Sequence, residues 1–185
     1  FGITALSPTN IWAVGGNYTT GTGGAIHWNG STWDYHNVGD QVLYGVTFVT
    51  PNDGWAAGEG GNIYHYNGSS WSFHSRPTQN VLVDISFDEN NNGWAIGFDG
   101  TILKYIRESN EWIRFDDLRT DHFDFYAVDH TSGHGWLVGL NSKKEIGGQI
   151  LEFSEDLWLA VTPPTDNRLS DISVLSDNDA WAVGV

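Results

Sequence analysis

The residues of this sequence that are suited to chemistry are carboxylates, arginines and aromatic rings. The chain has 23 Asp and Glu, 8 Lys and Arg, 7 His and no Cys. Thiolate catalysis, thiolate metal sites and disulfides are therefore excluded. No helix-borne His pair, nucleophile elbow or phosphate-binding glycine loop occurs, so the sequence names no general acid or base.

Three arginines recur at similar places along the chain, at Arg76, Arg119 and Arg168. Guanidinium groups that converge on one face suit a carboxylate, a phosphate or an acidic patch on a protein. Ordinary surface ion pairs with the many carboxylates are the alternative. We treat the three as candidate ligand-binding residues.

Aromatic residues supply a second set of candidates, at Tyr18, Trp28, Tyr35 and Tyr126. Aromatic rings on a surface are suited to stacking against sugars, and packing at the edge of a sheet explains them equally well. Both interpretations stay open at this stage.

A possible calcium loop is the only metal-like pattern. Asp88, Asn90, Asn92 and Asp99 match the ligand spacing of such a loop. However, the turn before Trp94 has counterparts elsewhere in the chain without a full ligand set. We therefore predict no cofactor and keep calcium as the alternative.

The formal net charge of -15 disfavours binding to nucleic acid or to anionic membranes. No apolar run is long enough to cross a bilayer, and residues 1–10 lack the pattern of a signal peptide, so we expect no direct membrane insertion. Because Met is absent, we expect the sequence to be part of a longer polypeptide.

An internal repeat positions these residues. A Trp-Ala-Val-Gly element or a close variant recurs at spacings of 43, 39, 42 and 45 residues, beginning at Trp12, Trp55, Trp94, Trp136 and Trp181. A second tryptophan follows each of the first four, at Trp33, Trp71, Trp112 and Trp158. Only Trp28 lies outside this pattern, so we interpret the other tryptophans as repeat markers that form a core.

Each repeat predicts four antiparallel strands, which we call a, b, c and d. In strand a, apolar and polar residues alternate around an aliphatic centre such as Val46, and strand b is the Trp-Ala-Val-Gly element. Strand c is exemplified by residues 62–66, and strand d begins at the second tryptophan. Asn-Gly pairs such as Asn67-Gly68 suit the tight c–d turn.

Four-stranded units of this period predict an all-β fold, a β-propeller with about four and a half blades in view. The expected blades are 1–42, 43–81, 82–124 and 125–168, with a partial blade at 169–185. We expect a single propeller domain that is an arc of a larger ring.

Antiparallel connections send the a–b and c–d turns to one side of each sheet and the b–c and d–a connections to the other. The first set is nearly constant in length, whereas the b–c connections vary, spanning 15–24, 58–61, 97–100 and 139–148. Variable loops on a rigid scaffold carry binding functions. We therefore expect the ligand on this side, which the arginine-bearing d–a connections share.

The stretch from 43 to 71, with Gly-Trp-Ala-Ala-Gly and Gly-Asn-Ile-Tyr-His-Tyr-Asn-Gly-Ser-Ser-Trp, resembles bacterial neuraminidase-type and photosystem II assembly factor-like repeats. The resemblance implies a secreted, periplasmic or cell-surface bacterial protein, and the assembly factors carry an arginine patch. The sialidase Asp box keeps its glycines at Gly30 and Gly68. Its aspartate positions hold other residues, Trp28, Tyr66, Arg107 and Phe153, which disfavours a sialidase.

Three functional hypotheses follow. The first is a non-catalytic scaffold that binds protein or glycan through its variable loops. The second is part of a glycan-active enzyme, with catalytic carboxylates in blades outside this sequence or among Asp84, Asp129 and Asp171. The third is an assembly factor for a membrane protein complex that docks through the arginines.

Overall fold

The structure is a computed structural model that describes residues 1–115, 122–141, 147–154 and 157–185. These residues form 18 strands and one short 3-10 turn, Glu59–Gly61. The strands make four four-stranded sheets and one two-stranded sheet, each antiparallel and in chain order. The predicted all-β fold of four-stranded antiparallel units is confirmed.

The strand bounds follow the repeat. The first sheet contains β1 (Gly2–Ser7), β2 (Asn10–Asn17), β3 (Thr22–Trp28) and β4 (Trp33–Gly39). The second contains β5 (Leu43–Thr50), β6 (Asp53–Gly58), β7 (Ile63–Tyr66) and β8 (Trp71–Ser75). The third contains β9 (Leu82–Phe87), β10 (Gly93–Gly97), β11 (Ile102–Ile106) and β12 (Glu111–Arg114).

The remaining strands continue the pattern. The fourth sheet contains β13 (Phe123–His130), β14 (Gly135–Asn141), β15 (Gly148–Ser154) and β16 (Leu157–Val161). The two-stranded sheet contains β17 (Leu169–Ser176) and β18 (Asp179–Gly184), which correspond to strands a and b. In the first, second, fourth and two-stranded sheets, the tryptophan of strand b lies opposite a residue of strand a, as Trp55 lies opposite Thr47.

The chain divides into two compact units, Phe1–Ile85 and Ser86–Val185, which we call unit 1 and unit 2. Each has an apolar core built from the repeat tryptophans. In unit 1, the buried ring of Trp12 lies 4.9 Å from Tyr66 and 5.9 Å from Trp71. Strands c and d of the second sheet thus cover strand b of the first.

Unit 2 repeats this packing. The buried ring of Trp94 lies 4.9 Å from Phe153 and 5.2 Å from Trp158, which belong to strands c and d of the fourth sheet. Aromatic rings tilted at these distances contribute more than their buried area alone. Within the described ranges, we find no helix with the length and apolar character needed to cross a bilayer.

Candidate binding surfaces on the loop side

We call the side of a sheet that bears the b–c and d–a connections its loop side, and the opposite side its turn side. On the loop side of unit 2, the guanidinium carbon of Arg168 lies 5.4 Å from the centre of the Tyr126 ring. The Phe98 ring meets Tyr126 edge-on at 6.2 Å. Two connections and strand β13, which are distant in sequence, therefore bring one cation and two aromatic rings together.

A tight turn holds Phe98 in this place. Asp99 and Gly100 both have left-handed backbone angles, with φ of 54° and 64°, and Thr101 donates its N–H to the carbonyl of Phe98 at 3.2 Å. This is the geometry of a two-residue hairpin turn that favours Gly and Asp. The Asp99 N–H donates to Asp124 Oδ1 at 3.2 Å, which ties the turn to β13.

Unit 1 carries a separate polar cluster on its loop side. The exposed Arg76 donates from Nε to Oδ1 of the buried Asn62 at 2.7 Å. Nearby, burial and the carboxylate of Asp40 raise the pKa of Tyr64, and the charge of Arg76 opposes this. Arg76 therefore stabilises a polar network of its own unit.

Tyr18 lies on the loop side of the first sheet and is 61% exposed. Its hydroxyl donates to the Tyr44 hydroxyl at 3.2 Å, and Tyr44 in turn donates to Glu59 Oε1 at 3.2 Å. Burial and these two neighbours raise the pKa of Tyr44. The Tyr18 ring is therefore exposed, and the hydrogen bond to Tyr44 fixes its hydroxyl.

Trp28 and Tyr35 are placed differently. Trp28 ends β3 on the turn side and pairs with Trp33, its ring centre 5.7 Å away. Tyr66 pairs with Trp71 in the same way in the next sheet, so Trp28 is a regular part of the repeat after all. Tyr35 is exposed on the apolar face of the first sheet.

The structure therefore brings Arg168 and Tyr126 together among the predicted site residues. Arg76 and Tyr18 belong to unit 1, and Arg119 lies outside the described residues. The sequence analysis did not single out Phe98 or Asn62. Their places in the b–c connections, directly after Gly97 and before Ile63, are the signals that point to them.

The structure places the two ends of the calcium spacing apart. Asp88 accepts the N–H groups of Asn90 and Asn92 at 2.8 Å each, and its second oxygen accepts Asn92 Nδ2 at 2.7 Å. Asp99 lies at the other end of β10, on the loop side. Among the described residues, no group of three or more His, Asp and Glu is arranged to hold a metal ion.

The candidate catalytic carboxylates are engaged with the backbone. Asp84 and Asp171 each accept the N–H of the following residue at 2.9 Å. Asp129 accepts the His130 N–H and the Ser86 hydroxyl on one oxygen, and the Val174 N–H at 2.8 Å on the other. Asp129 thus joins three successive sheets of unit 2.

His130 follows Asp129 and is buried. Its Nε2 lies 3.0 Å from the Asn92 carbonyl oxygen, which only accepts hydrogen bonds, so Nε2 carries the proton. Its Nδ1 is buried without a hydrogen-bond partner among the described residues. Burial accordingly lowers the pKa of His130. The hydrogen bond to Asn92 and the nearby carboxylates of Asp88 and Asp129 raise this pKa, but the effect of burial is larger.

We therefore expect acid to destabilise the fold through His130. Above pH about 6.5 the ring is neutral in both folded and unfolded chains. Below that pH the unfolded chain binds the proton first, so the free energy of unfolding falls as pH decreases. Urea unfolding at pH 7.5 and 5.5 measures this loss, and His130→Gln should reduce it. An equal pH dependence in both proteins would contradict the assignment.

Comparisons with known proteins fit this fold. Residues 65–143 match the family model described as photosynthesis system II assembly factor YCF48. No curated protein sequence matches the chain. The structure of YCF48 bound to D1 peptide is similar over 98% of this chain and 60% of its own, with 18% identity and a TM-score of 0.70.

Two other solved structures have a similar fold. Virginiamycin B lyase from Staphylococcus aureus, an inactive variant with quinupristin, matches 97% of this chain and 61% of its own at 17% identity and a TM-score of 0.74. The WD40 propeller domain of Doa1 matches 99% and 61% at 11% identity and a TM-score of 0.75.

The chain thus spans about 60% of the length of these similar structures. It is a β-propeller whose repeats are like those of the photosystem II assembly factors. The predicted fold and the predicted resemblance to those repeats are both confirmed.

Proposed function

We propose that this chain is a protein-binding propeller that holds a peptide carboxylate on the loop side of unit 2, at Arg168, Tyr126 and Phe98. The cation–π contact of Arg168 with the Tyr126 ring carries the proposal. A cation–π contact attracts the guanidinium to the ring and holds the positive charge beside it. The planar guanidinium group can form two parallel hydrogen bonds with a carboxylate.

The rings of Phe98 and Tyr126 complete the surface. Two aromatic rings beside a fixed cation give an apolar platform for the side chain next to the bound carboxylate. A carboxylate of a peptide is presented together with such a side chain, which a free inorganic anion lacks. The surface therefore favours a peptide as the ligand.

The comparisons support the same class of partner. The family model that matches 65–143 is named for an assembly factor, and the similar YCF48 structure is bound to a D1 peptide. We propose by analogy that this chain assists the assembly of a membrane protein complex by holding a segment of one subunit. The partner itself is to be found by the binding experiment.

The test is peptide binding to the Arg168→Gln variant. We expect a panel of peptides with free carboxylates to contain ligands that bind at least about tenfold more weakly to this variant, since a charged hydrogen bond contributes about 1.5–3 kcal/mol. Fluorescence anisotropy measures the affinities. The same peptides with amide in place of carboxylate should bind weakly to both proteins.

The matched control is Arg107→Gln. It removes the same charge from unit 2 at an exposed position in the c–d turn, on the turn side. Equal losses in the two variants would show a general charge effect and would remove the loop-side site. A panel with no peptide ligand would contradict peptide binding as the function.

Glycan binding and glycan hydrolysis have less support from the geometry. The Tyr18 ring is exposed, but Trp28 packs against Trp33 on the turn side, so the two do not form one sugar platform. The carboxylates of Asp84, Asp129 and Asp171 bind backbone N–H groups. A glycan array and a hydrolysis assay on the same protein test these alternatives directly.

A further inference from the structure

The second sheet departs from the repeat at one cross-strand pair. Tyr64 of strand c lies opposite Phe73 of strand d, and their rings meet edge-on with centres 5.9 Å apart. The same positions in the other four-stranded sheets hold at most one ring, in the pairs Ile26 with Tyr35, Leu103 with Arg114, and Leu151 with Ala160. Packing of the repeat therefore does not require two rings here, and the Phe73 ring is 56% exposed.

These two rings line a groove inside unit 1. The groove has a volume of about 600 Å³ and lies between the first and second sheets, each of which has four strands. Its main lining residues are Asn37, Gly39 and Asp40 from the first sheet, and Tyr64, Ser72 and Phe73 from the second. A groove of this volume is within the range of ligand-binding sites.

Tyr64 joins the aromatic end of the groove to a carboxylate. Its buried ring touches Phe73, and its hydroxyl lies against Gly39, where a Cβ would overlap the hydroxyl oxygen. Asp40 follows Gly39 and is exposed. Burial raises the pKa of Tyr64, and the nearby carboxylate of Asp40 adds to this effect. One buried tyrosine side chain therefore separates an exposed ring from an exposed carboxylate.

The charge in the groove favours a cationic ligand. Among the described residues, no Lys, Arg or His forms an ion pair with Asp40, and the nearby Arg76 binds Asn62 through its Nε. The net charge of -15 also attracts cations to the chain. A guanidinium group interacts favourably with an aromatic ring and forms paired hydrogen bonds with a carboxylate. The groove therefore suits arginine better than the smaller ammonium group of lysine.

We infer that this groove binds a basic segment of a partner protein and holds one of its arginine side chains between Phe73 and Asp40. The groove is larger than one side chain, and Asn37 and Ser72 offer hydrogen-bond donors and acceptors to the backbone of the segment. The site takes the opposite charge from the proposed carboxylate site at Arg168 and does not depend on it.

The probe is a panel of peptides of the form Ac-Gly-X-Arg-X-Gly-amide, in which X is Leu, Val, Phe or Thr. The blocked ends remove the carboxylate that the proposed site at Arg168 would bind. Each peptide has a matched twin with citrulline in place of arginine, which keeps the shape of the side chain and removes its charge. We expect the best peptide to bind at least about tenfold more tightly than its twin, measured by titration calorimetry.

Two pairs of variants locate the arginine. Asp40→Asn should weaken binding at least about fivefold, because it removes the charge and keeps the shape. Asp34→Asn is its control, since Asp34 is an exposed carboxylate of β4 outside the groove lining, and affinity should stay within about twofold. Phe73→Leu should weaken binding about threefold, whereas Phe73→Trp should retain it, because indole is the best ring for a cation. Melting temperatures check that each variant folds.

Specific results would overturn this inference. Equal affinity for the arginine and citrulline peptides, or a panel without any ligand, would exclude a basic segment. Equal losses in Asp40→Asn and Asp34→Asn would show only a general attraction to an acidic chain. Binding of neutral oligosaccharides that Phe73→Leu abolishes would make the groove a sugar site instead. Arg168→Gln should leave the affinity for the arginine peptides unchanged, which separates this test from that of the proposed function.

Discussion

Replacing Gly58 with alanine is expected to lower the free energy of unfolding by about 3 kcal/mol. Gly58 ends strand b of the second sheet, and a Cβ there would overlap the carbonyl oxygen of Val42 and lie 2.8 Å from the Leu43 Cα. That carbonyl accepts the Glu59 N–H at 2.9 Å and is held in place. Because both sides of the clash are backbone, no side-chain rotation relieves it.

The chain provides a matched control at the same repeat position. Gly15 ends the Trp-Ala-Val-Gly element of the first sheet, and its Cβ would lie 3.6 Å from the nearest atom, an ordinary contact. Gly15→Ala should therefore change stability by less than about 0.5 kcal/mol. Urea unfolding followed by tryptophan fluorescence measures both variants. Equal losses in the two would refute the steric explanation.

The same close approach in unit 2 connects the repeat to the proposed site. A Cβ on Gly184 would overlap the carbonyl oxygen of Arg168, the residue whose guanidinium makes the cation–π contact with Tyr126. The Val185 N–H donates to this carbonyl at 3.0 Å. The glycine of the repeat thus lets the d–a connection lie against strand b, and this contact positions the candidate binding residue.

Much of the fold could be predicted because local signals and the repeat agree. Tryptophan spacing and the Asn67-Gly68 turn predicted β7 and β8, and Gly68 has the left-handed φ of 91° that such a turn requires. The expectation of blade boundaries, and of an arc from a larger ring, stays a prediction. These depend on contacts between sheets that periodicity does not encode.

The candidate site was only partly predictable for a related reason. Arg168 and Tyr126 were singled out separately, by charge and by aromatic character, and their contact depends on how the d–a connection lies against β13 in space. The calcium spacing says nothing of distance in space, and Asp88 and Asp99 are separated by the whole of β10. The sequence analysis placed Trp28 outside the repeat, because the role of this residue depends on its cross-strand pairing with Trp33.

Replacing Trp94 with alanine should have the largest effect of all, a loss of about 3–5 kcal/mol in the free energy of unfolding. Its ring is buried against Phe115, Phe153 and Trp158, with centres 4.9 to 5.5 Å away. Lys104 Nζ also lies 5.6 Å from the ring centre. Truncation leaves a cavity among rings that the surrounding strands hold in place.

Trp181→Ala is the matched control, since Trp181 occupies the same repeat position in the same unit but is exposed. Its loss should stay below about 0.5 kcal/mol. Urea unfolding at neutral pH measures both, and a loss at Trp181 as large as that at Trp94 would mean that this ring is covered in solution.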